Sequence, residues 1–443
     1  MKPFYEEGYF WWPDRPDEKY IGFLEFDPIN GGSLKINHGY FVADNDTLEN
    51  KNRKIKQFSS YHKIILGSKR IDGSGASWSL YNCSGYGGDI SSIFYIEKIF
   101  VDYLFESEDK IEYQYLTLTL PLLEYWVKRD IIKLEHNQYY KGVEGYSVNV
   151  LPKETFSAKV KSNLTVKFCI STDYSVSNEY AKIHKKPYFL LDYKSKIQHD
   201  EIEKDLNHIR DFICLATSEP VYLDTIFSRG KDGFNESEIL FKRKYNIKNF
   251  DKHPLKQILY FEDIEIEYNN VLRKWFEDYE QLKHIYEMFF LTTYAKQTLA
   301  FSFLSLAQAL DSYSNIYVKE LREMKITKKI YKKYEDRIEV LVRSLSDYFD
   351  EKQSKSNFIK AVVETRHAIS HGDSKEEKEN NSFCYEDNDL EWLFYGTKLI
   401  LLAVFLRKIG LNDAKISECL KRDYRYRNIL EGKYRFEEKK KGR

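Results

Sequence analysis

Cysteine is scarce in this sequence: Cys83, Cys169, Cys214, Cys384 and Cys419 are scattered through 443 residues. An odd number cannot all pair, and neither CxxC nor a Cys/His zinc spacing occurs, which argues against a disulfide scaffold and a structural zinc site. Long apolar runs are missing too. The longest, Leu399–Leu406, has eight residues between Lys398 and Arg407, less than half a membrane span, and reads as a buried helix core. The first twenty residues hold no apolar signal core, so the expectation is a cytoplasmic protein without membrane contact. An excess of either charge is absent: 69 basic and 69 acidic side chains give a net charge of zero. That excludes a chain coated in positive charge for nucleic acid, and any such contact must be local. Proline and glycine number only 9 and 20, against 36 Tyr and 29 Phe, so the chain has ample packing material for folded cores.

Three stretches follow from patterning. Residues 1–125 read as a β-rich domain, with alternating or aromatic-rich segments at Gly8–Trp12, Tyr20–Asp27, Leu34–Val42, Lys63–Gly67, Ser77–Cys83, Phe94–Phe105 and Glu112–Leu120. Turn chemistry separates them, including Asn30-Gly31-Gly32, Asp72-Gly73-Ser74-Gly75 and Gly85-Tyr86-Gly87-Gly88. Short strands at this spacing predict a sandwich or barrel. Residues 126–260 read as a second, mixed β/α domain, with strands at Leu164–Ser171, Tyr188–Tyr193 and Glu238–Tyr245. A helix is expected over Ile202–Thr217, through Ile202, Leu206, Ile209, Ile213 and Ala216. Residues 261–443 read as an all-α domain with a basic tail. No Gly or Pro occurs from Leu255 to His371, and Leu299, Phe303, Leu306, Leu310 and Tyr313 take helical steps. Further helices are expected at Glu267–Phe290, Lys328–Phe349, Phe358–Ser370, Leu390–Ile409 and Ala414–Leu420, so the fold class is α+β multidomain.

One constellation stands apart. Arg366, His367 and His371 lie with Glu364 and Asp373 inside ten residues at the end of an apolar-faced helix. Gly372 suits the left-handed position after a helix, which puts His371 in the last turn, where the helix dipole favours a cation. Arg366 and His371 are five residues apart, about 140° around an ideal helix. They share a face only if the helix ends or bends between them, or if a second subunit completes the site. A solvated C-terminal cap is the commoner meaning of such a pair. His367 and His371, at i and i+4, also match two metal ligands, but Ala368 stands where a zinc-protease helix needs Glu and no third ligand is evident.

Arg366-x4-His371 in an all-α context resembles the ribonuclease motif of HEPN domains. Trp275-Phe276 and Phe303-Leu304-Ser305-Leu306-Ala307-Gln308-Ala309-Leu310-Asp311-Ser312-Tyr313 resemble the long first helices of an ApeA-type HEPN domain, as does the apolar helix ending at Gly410. Upstream, Tyr9-Phe10-Trp11-Trp12-Pro13, Leu24-Glu25-Phe26-Asp27, Ile65-Leu66-Gly67 and Trp78-Ser79-Leu80 are similar to the N-terminal domain of ApeA anti-phage proteins. The resemblance implies abortive-infection defence, with a sensing part and a helical part that cleaves RNA, tRNA being the candidate substrate. It implies Arg366 and His371 as catalytic residues, with His367 and Asp311 supporting. His367 stands where the family usually has a smaller polar residue, and Asp311 where Glu is frequent. No cofactor is implied; the expected partners are an RNA substrate, a phage-derived trigger and further copies of the chain in a homodimer or larger homo-oligomer.

The chemistry fits that implication. RNA carries its own nucleophile, the 2′-hydroxyl, so a metal-independent nuclease needs a proton carrier, His371, and a charge stabiliser, Arg366. The competing class is a non-catalytic helical module for dimerisation or nucleotide binding, with a β domain that recognises a protein or glycan. Residues 421–443 carry ten Lys/Arg and four Asp/Glu, a net of +6, interleaved with Tyr424, Tyr426, Tyr434 and Phe436. Lys421, Arg422, Arg425 and Arg427 are therefore candidate RNA contacts, with a solvated terminal helix the equal alternative. The acidic stretch 373–389 reads as a surface loop, and Trp11, Trp12, Trp78 and Trp126 read as core before ligand groove.

Overall fold

Alternation decides the first strands. In Tyr20–Asp27, Leu24 and Phe26 are fully buried while Ile21 and Glu25 face water, the period-2 pattern of a sheet with one wet face. The structure, a computed structural model, describes residues 1–37, 58–87, 91–139, 143–177, 181–229, 236–243, 257–345, 352–371, 385–433 and 435–437. Its strands begin with β1 (Phe4–Trp11), β2 (Tyr20–Asp27), β3 (Gly31–Ile36), β4 (Phe58–Ser68), β5 (Ser77–Gly87), β6 (Ser92–Val101) and β7 (Tyr113–Thr119). The chain continues with helix α1 (Leu123–Trp126), then β8 (Ile132–Tyr139), β9 (Val143–Val150), β10 (Glu154–Lys159), β11 (Leu164–Ile170), β12 (Thr172–Val176), β13 (Ala181–Lys185) and β14 (Tyr188–Ile197). Helix α2 (His199–Thr217) and strands β15 (Thr225–Arg229) and β16 (Glu236–Phe241) complete it.

Six strands close into an antiparallel barrel in the order β6-β3-β2-β1-β4-β5, with β5 returning to β6. Strand β6 is where the sheet divides. One edge pairs with β5 throughout; the other gives Ser92–Ile96 to β3 and Lys98–Val101 to β16. From β16 the sheet runs on through β15, β7, β14, β11 and β10, so strands from either side of residue 126 share it. The barrel interior is filled by Phe10, Trp12, Leu24, Phe26, Leu34, Ile36, Ile65, Trp78, Leu80 and Phe94. Trp12 and Trp78 are therefore core residues. Gly31 has φ +94°, and the Asp27 carboxylate accepts from the amides of Ile29 and Asn30, a turn that needs a residue without a β-carbon. Gly85 and Gly87 lie inside β5, opposite Phe94 and Ser92, and do not form the expected hairpin turn; Gly88 is outside the described residues.

Two compact units divide the chain. The first holds Met1–Glu124, Arg129–Arg210 and Val221–Asn249; the second holds Tyr125–Lys128, Asp211–Pro220 and Phe250–Arg443. The second unit is helical, with α3 (Tyr268–Tyr294), α4 (Leu299–Glu323), α5 (Tyr334–Ser344), α6 (Lys352–His371), α7 (Asp387–Lys408), α8 (Asp413–Leu420) and α9 (Tyr424–Leu430). Helix α4 starts on Thr298, whose hydroxyl accepts from the Phe301 amide. Helix α7 is buried all round from Leu399 to Leu406, and it stops at Gly410, whose φ of +102° allows the Leu411 amide to reach the Leu406 carbonyl. Phe405 packs on Tyr286 and Phe289 of α3, with ring centroids 4.6 and 5.1 Å away. Trp126 fills the same unit beside Phe261 and Phe212. Among the described residues no helix is long and apolar enough to cross a membrane.

Helix α5 begins at Tyr334, six residues later than its sequence suggests, because Lys328–Lys333 offers no apolar face to bury. Among the described residues of the helical unit, Lys398 is the buried lysine. Lys398 Nζ donates to Thr293 Oγ1 at 3.1 Å and lies 5.3 Å from the Phe289 ring centre, and burial lowers its pKa to about 8. Between about pH 8 and the ordinary lysine value the unfolded chain binds the extra proton, so burying this lysine costs stability in full below that window and nothing above it. Lys398→Met is therefore expected to stabilise the chain by about 2–3 kcal/mol at pH 7, at 1.36 kcal/mol per pKa unit. The gain should shrink above pH 10, as urea melts at both pH values would show.

Candidate active site

The last two turns of α6 carry Arg366, His367 and His371. Helical spacing sends the arginine and the histidines different ways. Arg366 reaches α4: Nη1 lies 3.2 Å from Asp311 Oδ2, and Nη2 donates to Gln308 Oε1 at 2.9 Å. Gln308 and Asp311, at i and i+3 of α4, present their polar atoms on one face. The Arg366 guanidinium also lies over the ring of Tyr334, 4.4 Å from its centre, a cation–π contact. Tyr334 in turn donates its hydroxyl hydrogen to the Ala307 carbonyl at 3.0 Å. Burial pushes its phenol well above the ordinary value, so it stays a neutral donor.

Asp311 serves two arginines. Its Oδ1 accepts from Arg337 Nη2 at 2.6 Å while Oδ2 faces Arg366. The side chain is 15% exposed, so this carboxylate is largely shielded between the two cations. Asp is one methylene shorter than the Glu frequent at this position. It reaches both partners, because α4 and α5 bring the guanidinium groups to it. One carboxylate against two guanidinium groups leaves the cluster with one positive charge in excess, before the histidines are counted.

His367 and His371 are exposed, with ring centroids 4.4 Å apart and planes inclined by 36°. Within one chain Arg366 thus packs against α4 and α5, and His371 pairs with His367 one turn back. Among the described residues no group of three or more His, Cys, Asp or Glu side chains gathers in a metal-holding arrangement. Gly372 and residues 373–384 lie outside the described residues. The end of the expected acidic loop is not loop: Tyr385 is buried, its amide donates to Thr365 Oγ1 at 2.9 Å, and Asp387–Asp389 open α7.

The tail residues have other duties. Arg422 forks onto Asp263, donating from Nη2 to Oδ1 at 2.9 Å and from Nη1 to Oδ2, and it also reaches the Ile258 carbonyl and Glu418. Arg425 clasps Asp423 and donates to the Tyr395 hydroxyl at 3.0 Å. Arg427 is half-buried, with its Nε buried and unpartnered. Lys421 is exposed. Of the interleaved aromatics, Tyr426 and Phe436 are core residues, Phe436 lying 5.0 Å from the Phe358 ring centre; Tyr424 is exposed and Tyr434 is outside the described residues.

Sequence reasoning missed Gln308, Tyr334 and Arg337 as members of the site. Gln308 carried one usable signal, its i,i+3 spacing to Asp311. Tyr334 and Arg337 carried none, since a 26-residue separation between Arg337 and Asp311 has no local pattern.

A β-barrel unit joined in one chain to an all-α unit of the HEPN kind is the class these elements define: residues 304–415 match the Apea-like HEPN family. Residues 6–275, well over half of the chain, match ApeA N-terminal domain 1, so the chain belongs to the ApeA family, with a nuclease-type role in anti-phage defence. No curated protein and no solved structure matches it. HEPN domains typically dimerise and bind RNA. Asp311, Arg366, His367 and His371 fall inside the HEPN match, whereas Lys421, Arg422, Arg425 and Arg427 lie beyond its end.

Proposed function

We propose that the helical unit is a metal-independent endoribonuclease acting in abortive infection, with tRNA as the first substrate to test and a homodimer as the working form. The observation that carries this reading is the held arginine: Arg366 is fixed by Asp311, Gln308 and Tyr334 on the same two turns that expose His367 and His371. A purely structural cap has no use for a guanidinium positioned from three sides beside two unburied imidazoles.

In this mechanism His371 takes the proton from a ribose 2′-hydroxyl, whose oxygen attacks the adjacent phosphorus. The 5′-oxygen leaves with a proton, giving a 2′,3′-cyclic phosphate and a 5′-hydroxyl. Arg366 faces the negative charge that builds on the non-bridging oxygens, with its donors pre-aimed by Asp311 and Gln308. A second motif across a two-fold axis supplies the other imidazole, one acting as base and one as acid. His367 donates or accepts a hydrogen bond at the same edge. Lys421 is the exposed member of the tail set and stands as an outer phosphate contact, while Arg422 and Arg425 hold the fold.

The test is end chemistry. Purified chain incubated with tRNA in excess EDTA should leave 2′,3′-cyclic phosphate and 5′-hydroxyl ends, and should leave DNA of the same sequence uncut. Cleavage that EDTA abolishes, or that yields 5′-phosphates, sinks the mechanism. Gln308→Ala removes one hydrogen bond that positions Arg366 and is expected to lower kcat by about tenfold, the worth of one ~1.4 kcal/mol interaction.

A further inference from the structure

Between α4 and α5 the chain reads Met324-Lys325-Ile326-Thr327-Lys328-Lys329-Ile330-Tyr331-Lys332-Lys333: five lysines and no acid in ten residues. All five are exposed, and among the described residues none makes an ion pair through its ammonium group. Several other cations of this unit are answered by carboxylates. Arg337 and Arg366 meet Asp311, Arg407 meets Asp413, Lys408 meets Glu320, and Lys415 and Arg422 meet Asp263. In a chain of zero net charge, an unanswered run of five positive charges repels itself and calls for an external polyanion.

The loop is moored at both ends. At its start Lys325 has φ +59°, its amide reaching the Arg322 carbonyl and the Ile326 amide the Leu321 carbonyl. This is the same helix ending that Gly410 gives α7, here made with a lysine. At its far end Arg337 Nη1 donates to the Lys332 carbonyl at 2.6 Å while its Nη2 holds Asp311. Tyr334, the first residue of α5, lies beneath the Arg366 guanidinium. The lysines are thus tied to the residues that fix Arg366. Met324, Ile326 and Ile330 are each more than 60% exposed, and the Lys329 ammonium lies over the Tyr331 ring at 4.9 Å. Apolar and aromatic surface among phosphate-binding charges is the mixture that single-stranded nucleic acid uses, bases stacking while the backbone is held.

We infer that the α4–α5 loop is the RNA-binding track of the Arg366/His371 site, Lys325, Lys328, Lys329, Lys332 and Lys333 gripping the phosphodiester backbone with little regard to sequence. This rests on the nuclease reading of that site. An anionic membrane would also attract five lysines, but it gives no reason to moor them to Asp311 and Arg366 through Arg337.

The experiment uses full-length chain carrying His371→Ala, so that RNA stays whole, and a fluorescein-labelled 20-nucleotide oligouridylate as probe. Replacing Lys328, Lys329 and Lys332 together by Gln should raise Kd at least tenfold at 0.15 M salt. It should also flatten the plot of log affinity against log salt by roughly 2, at ~0.7 for each phosphate no longer neutralised. Arg at the same three positions should restore both. Lys325→Gly removes a charge from a position where glycine is at ease, so its weaker binding at an unchanged melting temperature speaks for RNA contact. Parental Kd and slope in both the Gln triple and Lys325→Gly overturn the inference. So does a loss confined to vesicles containing 30% phosphatidylserine. If the wild-type chain leaves no cyclic phosphate ends yet the triple weakens RNA binding, the nuclease reading fails and the loop assignment stands.

Discussion

Replacing His371 by alanine is expected to lower RNA cleavage by about 10²–10⁴-fold, the usual worth of a positioned general acid or base. The side chain is exposed at the end of α6, so stability should move by no more than about 0.5 kcal/mol. Arg366 behaves differently. It is 25% exposed and held by Asp311 and Gln308, so Arg366→Ala should cost about 10²–10³ in kcat, as removal of one charge-stabilising donor does. Arg366→Lys keeps the charge but not the fork, and should recover little. The measurement is initial cleavage rate on tRNA with melting temperatures recorded alongside. A His371→Ala chain that cuts at the parental rate disposes of the proposed mechanism. In a growth assay the same two substitutions should relieve whatever toxicity the wild-type chain shows during infection.

Asp263→Ala is expected to destabilise the helical unit by about 3–5 kcal/mol, the loss seen when one member of a buried ion pair is removed. Asp263 is 9% exposed and accepts from Arg422, from Lys415 Nζ at 2.8 Å and from the Tyr260 amide at 2.7 Å. Burial pushes its carboxyl upward, but the hydrogen bonds from Arg422 and Lys415 outweigh it and hold the pKa at about 2. A carboxyl lowered in the folded state stabilises it fully above its ordinary value of 3.8, and that contribution is lost as pH falls through about 2. Urea melts at pH 7 and pH 2.5 should show the Asp263→Ala penalty shrinking at the lower pH. A penalty below about 1 kcal/mol at pH 7 would mean that the pair is a surface contact. Arg422→Ala should reproduce the stability loss while leaving the salt dependence of RNA binding unchanged. Lys328→Gln should do the reverse, so the pair of variants separates a structural cation from a binding one.

Most of the fold was legible because burial imposes a period. Leu24 and Phe26 in β2, Ile202, Leu206, Ile209 and Ile213 in α2, and Phe303, Leu306 and Leu310 in α4 each bury one face, and their spacing announces it. Where nothing is buried the pattern is silent. Strands β8 and β12 escaped notice because their described side chains are mostly exposed, Leu134 at 68% and Tyr174 at 74%, so neither face is marked as inward.

The sequence alone determined the helical unit, the Arg366-x4-His371 spacing and the family resemblance, all of which are properties of neighbours along the chain. Barrel closure, the pairing of Arg366 and Arg337 with one Asp311, and the commitment of Arg422 to Asp263 were decided only by tertiary structure. Each joins groups far apart in the chain, 159 residues in the last case, and no local rule records such a meeting. The tail basicity illustrates the difference: counting charges cannot say which cations already have a carboxylate. Folding answers Arg422 and Arg425 from within and leaves the lysines of the α4–α5 loop exposed and, among the described residues, without a carboxylate.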